Sequence, residues 1–244
     1  MISLKQSLNI THVIFDMDGL LINTEVVFSK VNQFLLSKYN KEFTSQLRSL
    51  VTGMPKKPAV ERILEHEGLL GKVDVDDYCK QYDEIAKGML PNCPLMPGAL
   101  KLVQHLKSHH IPMAICTGAT KKEFELKTRS HKELIDLVPV KLFSGDDPDV
   151  KQGKPAPDPY LVTMNRFAEK PENPLNVLVF EDATNGVRSA LAAGMAVIMI
   201  PDLSYMIVPN ELKSKILFVH KSLEEFKPET VGLPPYSANS NKLS

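Results

Sequence analysis

HVIFDMDG (12–19) is the stretch whose reading decides the fold. His12–Phe15 is too short for a helix and carries two β-branched residues, so it reads as a strand. A run apolar throughout, not alternating, suits a parallel sheet covered on both faces. Two carboxylates, Asp16 and Asp18, follow where that strand ends. While the chain stays extended, alternation sends both side chains the same way. In an open parallel sheet, ligands gather outside the carboxyl ends of the strands.

Working outward, five more short apolar runs read as buried strands: PMAIC (112–116), VKLF (140–143), VLVF (177–180), AVIMI (196–200) and ILFV (216–219). Helical spacing separates them. Ala99, Leu100, Leu102, Val103 and Leu106 share one face. Over 158–168, Asp158 reads as the N-cap and Pro159 as the first helical residue. Over 184–194, Thr184 reads as the cap and Gly194 as the stop. This alternation predicts an α/β fold, a Rossmann-like, doubly wound parallel sheet.

The interval from about 22 to 93 breaks the pattern, because it contains no convincing strand. Val27, Val31, Phe34, Leu35 and Lys38 with Tyr39 mark one helix. Val60, Ile63, Leu64 and Glu67 mark a second, and 75–90 reads as a third. Some seventy residues are too many for an ordinary connection, so an inserted helical subdomain is expected. The expected division is a core of 1–22 and 94–236, a helical insertion of 23–93, and a flexible tail of 237–244. Asn23–Glu25 and Pro91–Gly98 read as hinges, and the chain from Leu233 (LPPYSANSNKLS) reads as fraying.

Composition narrows the partners. The 244 residues contain 29 Lys and Arg against 29 Asp and Glu, for a net charge of zero. No global field exists to hold a nucleic-acid polymer or an anionic membrane. No apolar run approaches the ~18 residues of a transmembrane helix. MISLKQSLNITHVIF (1–15) lacks the pattern of a secretory signal, so a cytoplasmic protein is expected. Cys79, Cys93 and Cys116 match no metal-binding spacing and read as reduced thiols.

Four features carry chemistry. The first is Asp16-x-Asp18-Gly19, which alone also reads as a strand-end turn. The second is Glu181-Asp182 after the VLVF strand, which alone also reads as helix capping. Acids closing two parallel strands meet on one rim and repel unless a cation compensates. All-oxygen donors favour a hard ion, and Mg²⁺ is the common one beside phosphate. The third feature is Lys154 in GKPAPD (153–158), where prolines stiffen the chain beyond the ammonium. The fourth is Thr117-Gly118, a hydroxyl and an amide able to bind an anion. Together they supply metal ligands, one cation and neutral donors, the mixture that phosphoryl transfer demands.

Asp16-x-Asp18, Thr117, Lys154 and Glu181-Asp182 resemble, in order, the four motifs of the haloacid dehalogenase (HAD) superfamily. The likeness runs from His12 to Tyr236 and includes FDMDGLL (15–21), LMPGA (95–99), GDDP (145–148), GKPAPDP (153–159), VFEDATNGV (179–187), ALAAGM (190–195) and GLPPY (232–236). It implies a HAD-like core with a helical C1-type cap, and a Mg²⁺-dependent phosphomonoesterase. Asp16 would be the nucleophile and Asp18 the general acid and base. Asp16, Asp18 (through its backbone carbonyl) and Asp182 would hold the metal, with Glu181 in or next to the ligand set. Thr117, the Gly118 amide and Lys154 would bind the phosphoryl group. Glu25 and the loop containing Met54 and Lys56 would face the leaving group.

The implied substrate is a small phosphate ester. Pseudouridine 5′-phosphate is favoured, with glycerol 3-phosphate or a hexose phosphate as alternatives. A sugar-phosphate mutase and a silent binding protein on the same fold also remain open. A monomer is expected. Three positions depart from the family's pattern: Asn23 where an acid is usual, Gly118-Ala119 where serines are common, and the prolines of 52–58.

Other candidates have simpler readings. His109-His110 suits a helix C-terminus, Lys121-Lys122-Glu123 a solvated first turn, and Asp146-Asp147-Pro148-Asp149 a turn. Met89, Met96, Met195 and Met199 read as core filler.

Overall fold

The apolar runs pair into one parallel six-stranded sheet of order β3-β2-β1-β4-β5-β6. The strands are β1 His12–Phe15, β2 Met113–Thr117, β3 Val140–Phe143, β4 Val177–Glu181, β5 Ala196–Met199 and β6 Phe218–Val219. The structure is a computed structural model and describes residues 8–52 and 54–237. From β1 the chain winds one way to β2 and β3, then returns to lay β4, β5 and β6 on the other side. The topological switch point therefore falls between β1 and β4, where a doubly wound sheet opens a crevice beyond its strand ends.

Both faces of the sheet are covered, as the uninterrupted apolar runs require. Val13, Phe15, Ile115, Leu178, Phe180 and Ile198 face one core, with Leu102, Val103 and Leu106 of α5 (Ala99–Ser108). Ile14, Ala114, Cys116, Leu142, Val179 and Val197 face the other. After the short α6 (Lys121–Lys127) and α7 (Lys132–Ile135) between β2 and β3, that second core is closed by Tyr160 of α8 (Asp158–Asn165) and by Val187 and Ala190 of α9 (Thr184–Ala192). The Phe15 and Phe180 rings stack with centroids 5.4 Å apart, and Phe226 meets Phe180 edge-on at 4.9 Å. Such pairs contribute roughly 0.5–1.5 kcal/mol beyond their buried area. They lock β1 to β4 one residue before the acids begin.

Between β1 and α5 lie four helices: α1 Glu25–Ser37, α2 Ser45–Val51, α3 Lys56–His66 and α4 Val75–Met89. Their apolar faces join the first core through Met17, Leu20, Leu21 and Ile22. The helix α2 departs from the sequence reading. Its seven residues are too few to show a period, although Thr44 caps it by accepting from the Leu47 amide at 3.2 Å. Phe34, placed above on the buried face of α1, is 54% exposed, with the Lys38 ammonium 5.2 Å from its ring. The row that turns inward is Val27–Val31–Leu35, flanked by the buried Asn32 and Leu36.

Four further readings change. Pro157, not Asp158, caps α8. The Asp158 carboxylate instead accepts from the Lys151 and Gln152 amides, tying the preceding loop to the helix. Thr184 is the first residue of α9 and Ala183 its cap. Met89 and Met96 are half-buried, whereas Met195 and Met199 lie in the core. The chain from Leu233 does not fray at its start. Leu233 is buried, Tyr236 packs on His105 at 4.5 Å, and the Pro234 carbonyl accepts from His105 Nε2. The rest of the tail, 238–244, lies outside the described residues, as do Gly53 and the first seven residues. Among the described residues no helix is long and apolar enough to cross a membrane.

Candidate active site

The acid pairs arrive at the switch point by the same local logic. The Asp16 amide donates to the Phe180 carbonyl at 3.0 Å, extending the β1–β4 ladder one residue past Phe15. The chain then turns tightly: the Met17 carbonyl accepts from Leu21 and Ile22 while Met17 itself stays buried. Gly19 permits that turn at φ +79°, and any Cβ there would also run into the Asp182 carboxylate. On β4, Glu181 is the last strand residue and is 1% exposed.

Lys154 joins the two strand ends. Its ammonium donates to Asp16 Oδ1 at 2.6 Å, to Glu181 Oε1 at 2.7 Å and to the Cys116 carbonyl at 3.0 Å. The Tyr160 hydroxyl donates to the same Glu181 oxygen. Asp182 completes the cluster: ligand oxygens of Asp16, Glu181 and Asp182 lie within 4.8 Å of one another. Burial, opposed by Lys154 and aided by repulsion from Glu181 and Asp18, lifts the Asp16 carboxyl to about 7. Burial also raises Asp182 well above the usual carboxylate range, with Asp16 and Glu181 adding to it.

Two buried acids and the half-buried Asp182, against one contacting lysine, form a donor set of oxygens only, short of positive charge. That set fits a hard divalent cation.

Asp18 stands apart from this cluster, on the side facing Thr117. Of the four acids expected to gather, three bring their carboxylates together. Thr117 Oγ1 donates to Asp18 Oδ2 at 3.2 Å, and the Lys127 ammonium lies 2.7 Å from Asp18 Oδ1. Burial acts to raise the Asp18 carboxyl, but Lys127, with hydrogen bonds from Thr24 and Thr117, outweighs it and holds the group below its ordinary value. The Ala119 amide donates to Thr117 Oγ1 at 3.1 Å, fixing the hydroxyl, and Gly118 between them is exposed.

Two cavities flank the carboxylates. The larger, about 860 Å³, runs from Asp18 past Glu25, Phe28 and Tyr82 to Met54 and Lys56. Lys56 is neutralised by Asp83, 2.6 Å away, with Glu123 at 4.0 Å. The smaller, about 310 Å³, lies beside Asp182 and Gly19 and is walled by Glu25, Arg48 and Tyr205. Arg48 lies 3.9 Å from the Tyr205 ring centre and pairs with Glu25 at 3.4 Å and Asp202 at 3.7 Å, linking α2 to the loop after β5.

The matching family profile, that of the haloacid dehalogenase-like hydrolases, spans residues 13–200. The chain belongs to that family. It is 40% identical over 228 residues to a (DL)-glycerol-3-phosphatase of Arabidopsis thaliana, covering 93% of each chain. It is 37% identical to a probable pseudouridine-5′-phosphatase of Drosophila melanogaster, covering 93% of this chain and 96% of the other. A family hydrolase of Deinococcus radiodurans R1, solved with bound phosphate and sodium, superposes with a TM-score of 0.76 at 20% identity. It covers 94% of this chain and all of that one, a likeness of fold. The chain is an enzyme, a phosphatase of this family acting on small phosphate esters.

Lys127, Tyr160 and Arg48 escaped the sequence reading. Lys127 resembles any cation at a helix C-terminus, and Tyr160 any core aromatic. The other candidates keep their simple readings. Asp146 accepts from the Lys121 amide at the start of α6 (Lys121–Lys127), and Asp147 forms a two-bond pair with Arg166 at 2.6 and 2.8 Å.

Proposed function

We propose that this enzyme is a Mg²⁺-dependent phosphomonoesterase working through an aspartyl phosphate, with pseudouridine 5′-phosphate as substrate. One observation carries the reading: Lys154 ties the β1 nucleophile candidate to the β4 acid, with Asp182 close enough to share a cation. In the first step an Asp16 carboxylate oxygen bonds to phosphorus. The ester P–O bond breaks, and a proton passes from Asp18 to the departing oxygen. In the second, water gives a proton to Asp18 and bonds to phosphorus, and the bond to Asp16 breaks, releasing phosphate. Lys154 steadies Asp16 and neutralises a phosphoryl oxygen; Thr117 and the Gly118 amide hold others. Asp16, Asp182 and the Asp18 backbone carbonyl would hold Mg²⁺, with Glu181 held back by Lys154 and Tyr160. The ion supplies charge neutralisation for the phosphoryl group.

We take 1–22 and 94–236 as the core and 23–93 as a cap that closes over the substrate and reopens for release. Glu25, Met54 and Lys56 then face the leaving group. A cavity of about 860 Å³ has room for a nucleoside beside Phe28 and Tyr82, and glycerol would fill only a corner of it. The 40% identity to a glycerol-3-phosphatase supports the second reading, glycerol 3-phosphate. A monomer acting in the cytoplasm completes the proposal.

The test is phosphate release from pseudouridine 5′-phosphate, glycerol 3-phosphate and glucose 6-phosphate, with Mg²⁺ or with EDTA. The expected result is Mg²⁺-dependent release with the highest kcat/KM on the nucleotide, abolished by Asp16→Asn. No release from any ester, or a tenth of normal turnover left in Asp16→Asn, overturns the mechanism. A preference for glycerol 3-phosphate overturns the substrate.

A further inference from the structure

Among the described residues Lys127 is the only lysine or arginine in ion-pair contact with Asp18, and the four motifs of the family do not include it. Its placement is rigid. The helix that ends on it begins in a capping box, in which Thr120 Oγ1 accepts from the Glu123 amide and the Glu123 carboxylate accepts from the Thr120 amide. Phe124 anchors the same helix in the core against Phe143, with ring centroids 4.8 Å apart. The Lys127 side chain is only 16% exposed, and it lies in the wall of the larger cavity with Asp18. Three groups thus hold the Asp18 carboxyl: Lys127 lies against Oδ1, the Thr117 hydroxyl donates to Oδ2, and the Thr24 side chain is a further hydrogen-bond partner.

Lys127 and Thr117 are not equivalent during turnover. Thr117 is needed by the phosphoryl group, so its bond to Asp18 is given up when substrate binds. Lys127 remains. An ammonium has three donors and no acceptor, so it can engage only a lone pair on Oδ1. That leaves Oδ2 to carry the proton of the acid form and to offer the free lone pair of the base form. Oδ2 is the oxygen already turned toward Thr117, where the phosphoryl group must sit.

We propose that Lys127 is a positioning residue for the reaction: by occupying Asp18 Oδ1 it aims Oδ2 at the bridging oxygen of the ester and at the attacking water. The inference rests on the phosphatase reading above. Lys127 itself exchanges no proton and makes no bond to the reacting atoms.

The experiment uses Lys127→Met, which keeps most of the apolar stem, and Lys127→Arg. Each is assayed with 4-nitrophenyl phosphate and with the better of pseudouridine 5′-phosphate and glycerol 3-phosphate. The readout is kcat/KM, which stops at departure of the leaving group and leaves out hydrolysis of the aspartyl phosphate. Nitrophenolate leaves without help from an acid, whereas an alkoxide does not. General acid catalysis supplies roughly 10²- to 10⁴-fold, so misaiming Asp18 is expected to lower kcat/KM on the alkyl ester about 10- to 100-fold in Lys127→Met. The value on 4-nitrophenyl phosphate should stay within about threefold. Lys127→Arg should recover part of the loss. Asp18→Asn should show the same leaving-group pattern, larger. Adding Lys127→Met to it should cost little more, because residues acting as a unit are not additive.

Equal losses on both esters, or additive losses with Asp18→Asn, overturn the proposal and make Lys127 structural or a substrate ligand. Should Lys127→Met fold poorly, Lys127→Gln, which keeps a polar end without the charge, takes its place in the leaving-group and additivity tests. Failure of the wild-type enzyme on every ester is a different result: it removes the phosphatase reading.

Discussion

At Gly186, the third residue of α9, a Cβ would run into the Glu181 carboxylate. That carboxylate is fully enclosed and already engaged by Lys154 and Tyr160, so it has nowhere to retreat. Gly186→Ala should therefore unseat Glu181, release Lys154 from its double grip and misplace Asp16. A misplacement of about 1 Å is enough for roughly a 100-fold loss of rate. Steady-state kinetics should show that loss in kcat while the far-UV circular dichroism stays that of the wild type; an unchanged kcat would refute it. Asp16, Thr117, Lys154 and the Glu181-Asp182 pair could be read from sequence because each is attached to a strand end or a proline-stiffened loop. Lys127, Tyr160 and Arg48 could not. Their meaning lies in partners brought close by folding, and their own neighbours along the chain say only helix end, core and helix face.

At the scale of elements, α1 and α4 are held together by a buried polar contact. The Tyr78 hydroxyl donates to Asn32 Oδ1 at 3.0 Å, and Asn32 Nδ2 donates to the Phe28 carbonyl at 2.9 Å. Both side chains are buried, so removing one partner strands the other. Tyr78→Phe should cost about 1–3 kcal/mol, read as a lower denaturant midpoint, with kcat close to wild type because neither residue reaches the carboxylates. An unchanged midpoint would show that water replaces the lost hydroxyl. Strands and long helices were legible as elements because burial imposes a period on them. The exceptions are instructive. The short α2 spans too few turns to reveal a period, and Phe34 lies on the helical pattern of α1 but outside the packed row. Thr184 and Asp158 have good capping chemistry, yet neighbouring backbone geometry assigned the cap one residue earlier.

For the molecule as a whole, the cost of gathering acids at one rim should be measurable without substrate. In EDTA, Asp16 keeps its proton up to about 7 in the folded enzyme but loses it near 4 when unfolded. The folded state therefore binds more protons between those limits, and stability falls as pH rises through them. Asp16→Asn removes that contribution while leaving the opposing titration of His105 and His220 in place. The thermal midpoint of Asp16→Asn minus that of the wild type should widen from about pH 5 to pH 8 in EDTA, and narrow when Mg²⁺ is added. A difference that is flat with pH, or unmoved by Mg²⁺, would count against a shared cation site. The sequence alone determined that this chain builds a parallel sheet, interrupts it with helices and places acids at the ends of β1 and β4. Those are consequences of residue type and spacing along one strand or helix. Only the tertiary structure decided that Asp18 turns away from the other three acids to meet Lys127, and that Tyr160 closes on Glu181. Side chains distant in sequence find one another by packing, and local chemistry holds no record of which of them will meet.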